Sequence, residues 1–315
     1  MAKIVETVTR LDLSTDFNRD IKLHRENRIR SIYSSLAIEG NPLSIDDVAA
    51  VIDGKLVAGK QADIKEVKNA YEAYDKIMMY NPYSVDDFLL AHKLITQELI
   101  NEAGTFRNGD IAVYDGDKVV HIGARPQYVP GLVNELFKWA EDSELHPVIK
   151  SAVLHYEIET IHPFEDGNGR IGRLWQTLIL AKWNSIFAWI PMESVLYEKR
   201  PQYYQAIEES RKTNDSGVFI EFTLSAIYEI LCEQEKHQVK HQEKHQVELS
   251  TIQQSILTIL KEKSLSRKEI FSTLSITGDT RAYKRHLEPL IALNLVEMTI
   301  PDKPNSSRQK YRLSN

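Results

Sequence analysis

A mostly α-helical body followed by a small winged-helix unit is the fold class the sequence predicts, and three observations carry it. Apolar residues recur at three- and four-residue spacing through most of the body, with turn-forming dipeptides between the stretches. A single β-rich interruption surrounds an Asp-Gly turn at residues 110–122. After a polar, repetitive tract the chain resumes with three helical patterns and two short β-type runs.

In the body, Asn41-Pro42-Leu43-Ser44 followed by Asp46 and Asp47 reads as an N-cap with an acidic first turn, opening a helix through Val48, Val51 and Ile52. The same device at Ser84, with Asp86 and Asp87, starts a helix carrying Phe88, Leu89, His92, Ile95 and Leu99. A long helix is expected from about His146-Pro147 to Thr160, proline being tolerated in a first turn. The runs Asp110 to Tyr114 and Lys118 to Ile122 are expected to pair as a hairpin, which must pack on the helices or serve binding, because an isolated hairpin is marginal in water.

Between Glu233 and Glu248 the repeats Lys236-His237-Gln238, Lys240-His241-Gln242 and Lys244-His245-Gln246 read as a connector. If helical, it lines His237, His241 and His245 along one face at metal-ligand spacing, but with no fixed carboxylate or cysteine partner the preferred reading is a solvated linker. Helices follow at Ile252 to Leu260, Arg267 to Leu274 and about Asp279 to Leu293, then strands at Val296 to Ile300 and Gln309 to Leu313, the order of a winged helix. Arg281, Lys284 and Arg285 on the third helix, with Arg308, Lys310 and Arg312 on the ribbon, are placed to meet DNA phosphates. Protein docking is the alternative, and Pro289 is expected to interrupt the third helix.

Composition bounds the rest. The 315 residues, 42% hydrophobic and 9% aromatic, can bury one large core or two moderate ones, which excludes a disordered or collagen-like chain. A lone cysteine, Cys232, can form neither an internal disulfide nor a thiolate cage, so a reducing compartment fits. The start, MAKIVETVTRLDL, lacks an apolar signal-type core, and the longest apolar tract is broken by Lys182 and Asn184. A cytoplasmic chain without a membrane partner is expected. The net charge of −6 is uneven: residues 251–315 hold 11 basic against 6 acidic side chains, and the remainder 28 against 39. A weakly basic tail on an acidic body suggests a second domain with a different partner.

The decisive segment runs Ile161-His162-Pro163-Phe164-Glu165-Asp166-Gly167-Asn168-Gly169-Arg170-Ile171-Gly172-Arg173, between two helical patterns. Gly167 and Gly169 permit backbone conformations that expose consecutive N–H groups, and the next helix points its positive end at them, which makes an anion site. Arg170 and Arg173, three apart, share a face of that helix and can clamp phosphates. Asp166 can hold Mg²⁺ across phosphate oxygens, and His162 is placed to act as a base on an incoming nucleophile.

This segment resembles the motif of the Fic family, H-x-F-x-D/E-G-N-G-R-x-x-R, at every specified position. The resemblance extends over roughly residues 30–230: His146 through His155 and Tyr156 look like the helix leading into the motif, Gly104-Thr105-Phe106-Arg107 and the hairpin like its flap, and Tyr203-Tyr204-Gln205-Ala206-Ile207 like its nucleotide-side helix. It implies a Fic-type helical bundle that transfers a nucleoside monophosphate, usually AMP from ATP, to a Ser, Thr or Tyr hydroxyl of a target protein. In that reading His162 deprotonates the hydroxyl, and Asp166 holds Mg²⁺, with Mn²⁺ a substitute. Gly167, Asn168 and Gly169 cradle phosphates, Arg170 and Arg173 neutralise them, Tyr204 lies on the nucleotide side, and Phe164 is buried to fix the loop. A phosphorylating branch carries lysine at the second loop glycine, so Gly169 argues against that branch.

Ser35 to Gly40 matches the family's inhibitory pattern, S/T-x-x-x-E-G/N, which implies that Glu39 pairs with Arg173 and blocks productive ATP binding in cis. The expected domains are a helical region with the inhibitory helix at 1–95, a catalytic core at 96–232, a linker at 233–249 and a winged helix at 250–315. A homodimer is a further expectation. Two other functions fit the same residues: a winged-helix transcriptional regulator that senses nucleotide, and an enzyme that removes AMP with Glu39 orienting water.

Overall fold

The computed structural model describes residues 1–13, 21–115, 118–245, 249–261, 263–293, 295–301, 306 and 308–314. It divides into two units, 1–236 and 237–315. The first holds α1 (Ala2–Leu13), α2 (Ile21–Ile38), α3 (Ile45–Ile52), α4 (Gln61–Asp75), α5 (Val85–Thr96), the strands β1 (Ala112–Asp115) and β2 (Lys118–Ile122), and helices α6 (Val129–Asp142), α7 (Pro147–Ile161), α8 (Asn168–Trp183), α9 (Met192–Glu198) and α10 (Arg200–Thr213). Helix α11 (Gly217–His245) contains the division.

Helices α7 and α8 pack as the central pair, buried around most of their circumference, as a helix apolar on all sides must be. Trp175, Leu178 and Phe164 meet Phe88 of α5 and Phe137 of α6 in one core, where Phe88 contacts the rings of Phe137, Phe164 and Trp175. Helix α2 is central too, and it buries polar side chains, Asn27, Ser31, Ser34 and Ser35 among them. The N-caps expected at Ser44 and Ser84 both form, the first as a full capping box with Asp47.

The hairpin is antiparallel, with Ala112 opposite Ile122 and a bulge between Val113 and Tyr114. Its turn residues, Gly116 and Asp117, lie outside the described residues, as do the side chains of His237, His241 and His245. Among the described residues no group of three or more His, Cys, Asp or Glu could hold a metal, and no helix is long and apolar enough to cross a membrane.

The second unit contains α12 (Thr251–Leu260) and α13 (Arg267–Thr273), each opened by a serine capping box. Its third helix does not break at Pro289. It runs as Thr280–Ala282, a π-helical stretch Tyr283–Leu287, and Glu288–Ala292. The widened turn lies just before the proline, where the missing N–H and the ring would disrupt an ordinary helix. Strands β3 (Val296–Met298) and β4 (Tyr311–Leu313) pair antiparallel, and Leu265 adds a bridge to Tyr311. Ile256, Phe271, Leu287, Leu290 and Val296 form this unit's own core.

Candidate active site

The loop between α7 and α8 is built by backbone geometry. Helix α7 ends at His162 in the left-handed region, φ 54°, and α8 begins after Gly167, φ 82°. A Cβ at Gly167 would lie 2.8 Å from Cγ2 of Thr96, so glycine is required twice over, by conformation and by space. Asn168 staples the loop: the Phe164 N–H donates to its Oδ1 and its Nδ2 donates to the Phe164 carbonyl, both at 2.9 Å. Its side-chain amide is thus spent on the loop, and the Gly167 N–H donates to Asp166 Oδ1 at 2.5 Å, which leaves the backbone N–H groups of α8's first residues to face an anion.

Phe164 is fully buried and stacks on His92, ring centroids 3.6 Å apart and ring planes nearly parallel. His92 is pinned at both nitrogens. The Gly104 N–H donates to Nδ1 at 3.1 Å, so Nε2 carries the proton and donates to the Asp166 carbonyl at 2.9 Å. Burial, with the Arg170 charge adding to it, lowers the His92 pKa to about 4, and the ring is neutral at neutral pH. His92 reads in the sequence as one more residue on an apolar helical face; only the fold shows that it supports the loop from beneath.

Arg107 is the second unforeseen anchor. Buried, it donates from Nε to the His162 carbonyl at 2.7 Å, from Nη1 to Gly109 at 2.7 Å, and from Nη2 to the Ala124 and Ile161 carbonyls. One side chain thereby ties both feet of the hairpin to the residue that ends α7. On β2, His121 reaches the Thr160 carbonyl at 2.7 Å, with its ring 6.3 Å from that of His162.

Nδ1 of His162 faces the Glu159 carbonyl at 3.5 Å. A carbonyl only accepts, so Nδ1 carries the proton and Nε2 keeps the lone pair a base needs. Burial lowers the His162 pKa, while the Glu159 carboxylate opposes that shift. Glu159 is itself buried; its Oε1 accepts from the Tyr203 hydroxyl at 3.3 Å and lies 3.8 Å from Nε2 of His155. Burial pushes this carboxyl up, but His155, His162 and Arg173 together hold it down to about 2. Sequence reading placed His155 and Tyr203 on their helices and missed the network.

At the start of α8 the two arginines diverge. Arg170 pairs with Asp166 at 2.9 Å and with Glu66 of α4 at 2.8 Å. Arg173 is 1% exposed; its Nη2 lies 2.6 Å from Oε1 of Glu39 and 3.0 Å from the Ser35 carbonyl, and its Nε donates to Ser35 Oγ at 3.2 Å. Burial opposes the Arg173 charge, and the Glu39 carboxylate leads the groups that more than offset it. A Cβ at Gly169 would lie 2.3 Å from Oε1 of Glu39, so that carboxylate covers the very N-terminus where an anion would bind. Tyr204 is 44% exposed on α10, beside the Arg200 guanidinium.

The Asp166 side chain is 59% exposed and offers a hard oxygen donor beside the glycine turn. Mg²⁺ asks for only one or two protein carboxylates when phosphates and water complete its shell, so this site fits that ion without a larger acidic cluster.

A helical bundle whose central pair is joined by a glycine loop, with a histidine before it and two arginines after it, has the arrangement of a Fic-type protein. The Fic/DOC family model matches residues 82–180, and the model of the Fic-like C-terminal domain of "filamentation induced by cAMP" proteins matches 253–314. The crystal structure of a Fic family protein from Desulfovibrio desulfuricans G20 is 35% identical with a TM-score of 0.75, covering all of this chain and 94% of that one. The chain belongs to the Fic/DOC family. Fic-1 from Caenorhabditis elegans shares the fold, at 24% identity and a TM-score of 0.62 over 76% of this chain and 73% of that one. By sequence, "Protein adenylyltransferase Fic" of Nematostella vectensis is 30% identical over 63% of this chain and 46% of its own length. "Protein adenylyltransferase fic-1" of C. elegans is 27% identical over 59% and 37%. The chain therefore spans less than half the length of these two relatives.

Proposed function

We propose that the chain is a protein adenylyltransferase, transferring AMP from ATP to a Ser, Thr or Tyr hydroxyl of a target protein, and that Glu39 restrains it. The observation that carries this reading is the pairing of Glu39 with Arg173 directly above Gly169. A carboxylate there occupies the place of a phosphate and holds the cation that would meet one. The adenylyltransferase names of the two relatives support the same chemistry.

In the transfer, the target hydroxyl oxygen bonds to the α-phosphorus, the bond to the β-phosphate oxygen breaks, and pyrophosphate leaves. Nε2 of His162 takes the hydroxyl proton. Asp166 would hold Mg²⁺, which supplies charge neutralisation at the phosphates when bound. The N–H groups at the start of α8 and the guanidinium of Arg170 position the phosphates, and Arg173 joins them once Glu39 moves away. Such a reaction needs positioning and charge neutralisation more than covalent help. The hairpin, tied down by Arg107, offers β2 as a strand edge for an extended target segment.

The test is transfer of label from α-labelled ATP to protein with Mg²⁺ present. Glu39→Gly is expected to label a target or itself strongly, and the added His162→Ala change to abolish labelling. Absence of labelling in Glu39→Gly across candidate targets and its own chain would overturn the reading.

The second unit supports a further binding role. Arg281, Lys284 and Arg285 are exposed on its third helix, and Arg308 and Lys310 are exposed near β4, whereas Arg312 is engaged by Glu297. This basic surface favours duplex DNA over an apolar docking face.

A further inference from the structure

Nothing in the sequence marks Glu66, yet its two carboxylate oxygens are spent on two different parts of the site. Oε1 accepts from Nη1 of Arg170 at 2.8 Å, and Oε2 accepts from Nδ2 of Asn41 at 2.7 Å. Arg170 is buried, and its Nε has no hydrogen-bond partner. Asn41 lies two residues beyond Glu39, at the end of a turn in which Gly40 takes φ 92° and the Asn41 N–H closes on the Leu36 carbonyl at 3.1 Å. Its amide is fully committed, for Nδ2 also donates to the Asp63 carbonyl and Oδ1 accepts from the Leu43 N–H, each at 3.1 Å. One side chain from α4 is therefore bonded both to an arginine of the anion loop and to the turn that carries Glu39.

We infer that Glu66 is a positioning residue with a separate task for each oxygen: Oε1 aims Arg170 at the phosphate end of α8, and Oε2, through Asn41, holds the Glu39 turn over Gly169. The inference rests on the adenylyl-transfer reading above. Arg170 has two carboxylate partners, but that of Asp166 is largely exposed and is the one a metal would claim. Glu66 is the partner that remains. A planar guanidinium gripped at Nη1 keeps its orientation, and Nη2, which donates to Asp166 at 2.9 Å, is free to meet a phosphate oxygen once a metal claims that carboxylate, so the aim is fixed before substrate arrives. On the other side, Asn41 is short and close to the turn, so its bond to Glu66 resists any movement that lifts Glu39 from Arg173.

The two tasks separate by substitution. Glu66→Gln keeps an oxygen for Arg170 but turns an NH₂ toward the NH₂ of Asn41, two donors face to face. Asn41→Ala removes the same tie and leaves Arg170 alone. Glu66→Ala removes both. In the full chain, Asn41→Ala and Glu66→Gln are expected to speed amide exchange at Gly40 and Asn41 and to raise labelling by about three- to tenfold, the worth of one such hydrogen bond. In the Glu39→Gly background no restraint is left to release, so Asn41→Ala should keep kcat within about threefold of that parent, and Glu66→Gln, which still offers Arg170 an oxygen, should retain more of it than Glu66→Ala. Glu66→Ala should there lower kcat about tenfold or more, because Arg170 loses its aim.

If Glu39→Gly labels strongly while Asn41→Ala matches the unaltered chain in exchange and in labelling, the tie to the turn is refuted. Equal kcat for Glu66→Ala and Glu66→Gln in that background refutes the aiming of Arg170. Should Glu39→Gly transfer nothing, it is the adenylyl-transfer reading that fails, and Glu66 is then decided by exchange and by calorimetric ATP affinity. Faster exchange in Asn41→Ala, with affinity lowered by Glu66→Ala and kept by Glu66→Gln, upholds its two tasks; any other pattern overturns them.

Discussion

Oε1 of Glu39 and Nη2 of Arg173 lie 2.6 Å apart, joining the end of α2 to the first turns of α8, with the arginine buried and the carboxylate partly in solvent. Such an asymmetric pair is a switch more than a brace. Removing the carboxylate leaves Arg173 its bonds to Ser35 and frees its charge for phosphate. Glu39→Gly is therefore expected to raise labelling from ATP by about 10- to 100-fold, the worth of a hydrogen bond between charged groups. Arg173→Ala breaks the same pair but also deletes the clamp, at a cost of about 10²–10³ in rate. The double variant should resemble Arg173→Ala. A double variant as active as Glu39→Gly would remove Arg173 from catalysis.

The base should report its surroundings in a pH profile. Burial lowers the His162 pKa, and the nearby Glu159 carboxylate partly opposes the shift. A base acts unprotonated, so labelling by Glu39→Gly should fall only below the ordinary histidine range of about 6.5. Glu159→Gln removes the opposing charge, lowers the His162 pKa further, and should shift the acid limb to still lower pH. Movement of that limb toward higher pH would mean that Glu159 does not act on His162 through its charge.

His92 makes a separate prediction about stability. Its folded pKa of about 4 lies below the unfolded histidine value, so an unfolded chain takes up a proton before the folded one does. The associated stability is present above about pH 6.5 and is lost as pH falls toward about 4, at most about 3 kcal/mol. His92→Ala loses the stack on Phe164 and the bond to Asp166 at every pH, but it does not pay this acid penalty. Thermal melts of the two proteins should differ most near neutrality and converge toward pH 4.5. A constant difference would mean that His92 is not held neutral.

The anion loop was legible because it is local: twelve consecutive residues supply the histidine, the glycines and both arginines, and their order fixes the α7–loop–α8 geometry. The supports beneath it were not. Glu66 lies 104 residues from Arg170, His92 lies 74 from Asp166, and Arg107 lies 55 from His162, and no periodicity distinguishes them from surface acids, core histidines or loop arginines. Asn168 adds a task that the motif does not announce, since the resemblance implies a place in the phosphate cradle and its side-chain amide is in addition closed on Phe164. In the second unit the three helices and two strands follow from apolar spacing and element order, but the expected break at Pro289 did not occur. A π turn is an adjustment of hydrogen-bond register that no residue pattern announces.

That turn leads to the last prediction. Arg281, Lys284 and Arg285 are exposed on a helix whose register widens from Tyr283 to Leu287, so the three side chains depart from the angular spacing of a regular helix. If they meet duplex DNA through phosphates, affinity depends on counterion release and not on one fixed register, and the full chain should bind many sequences with a steep loss on adding salt. The log–log slope should lessen by roughly one for each phosphate contact removed, so Arg281→Ala with Lys284→Ala should flatten it by about two. Arg312→Ala, already engaged by Glu297, should leave the slope nearly unchanged. Equal slopes for all three proteins, or binding insensitive to salt, would turn the reading toward a protein partner for the same basic face.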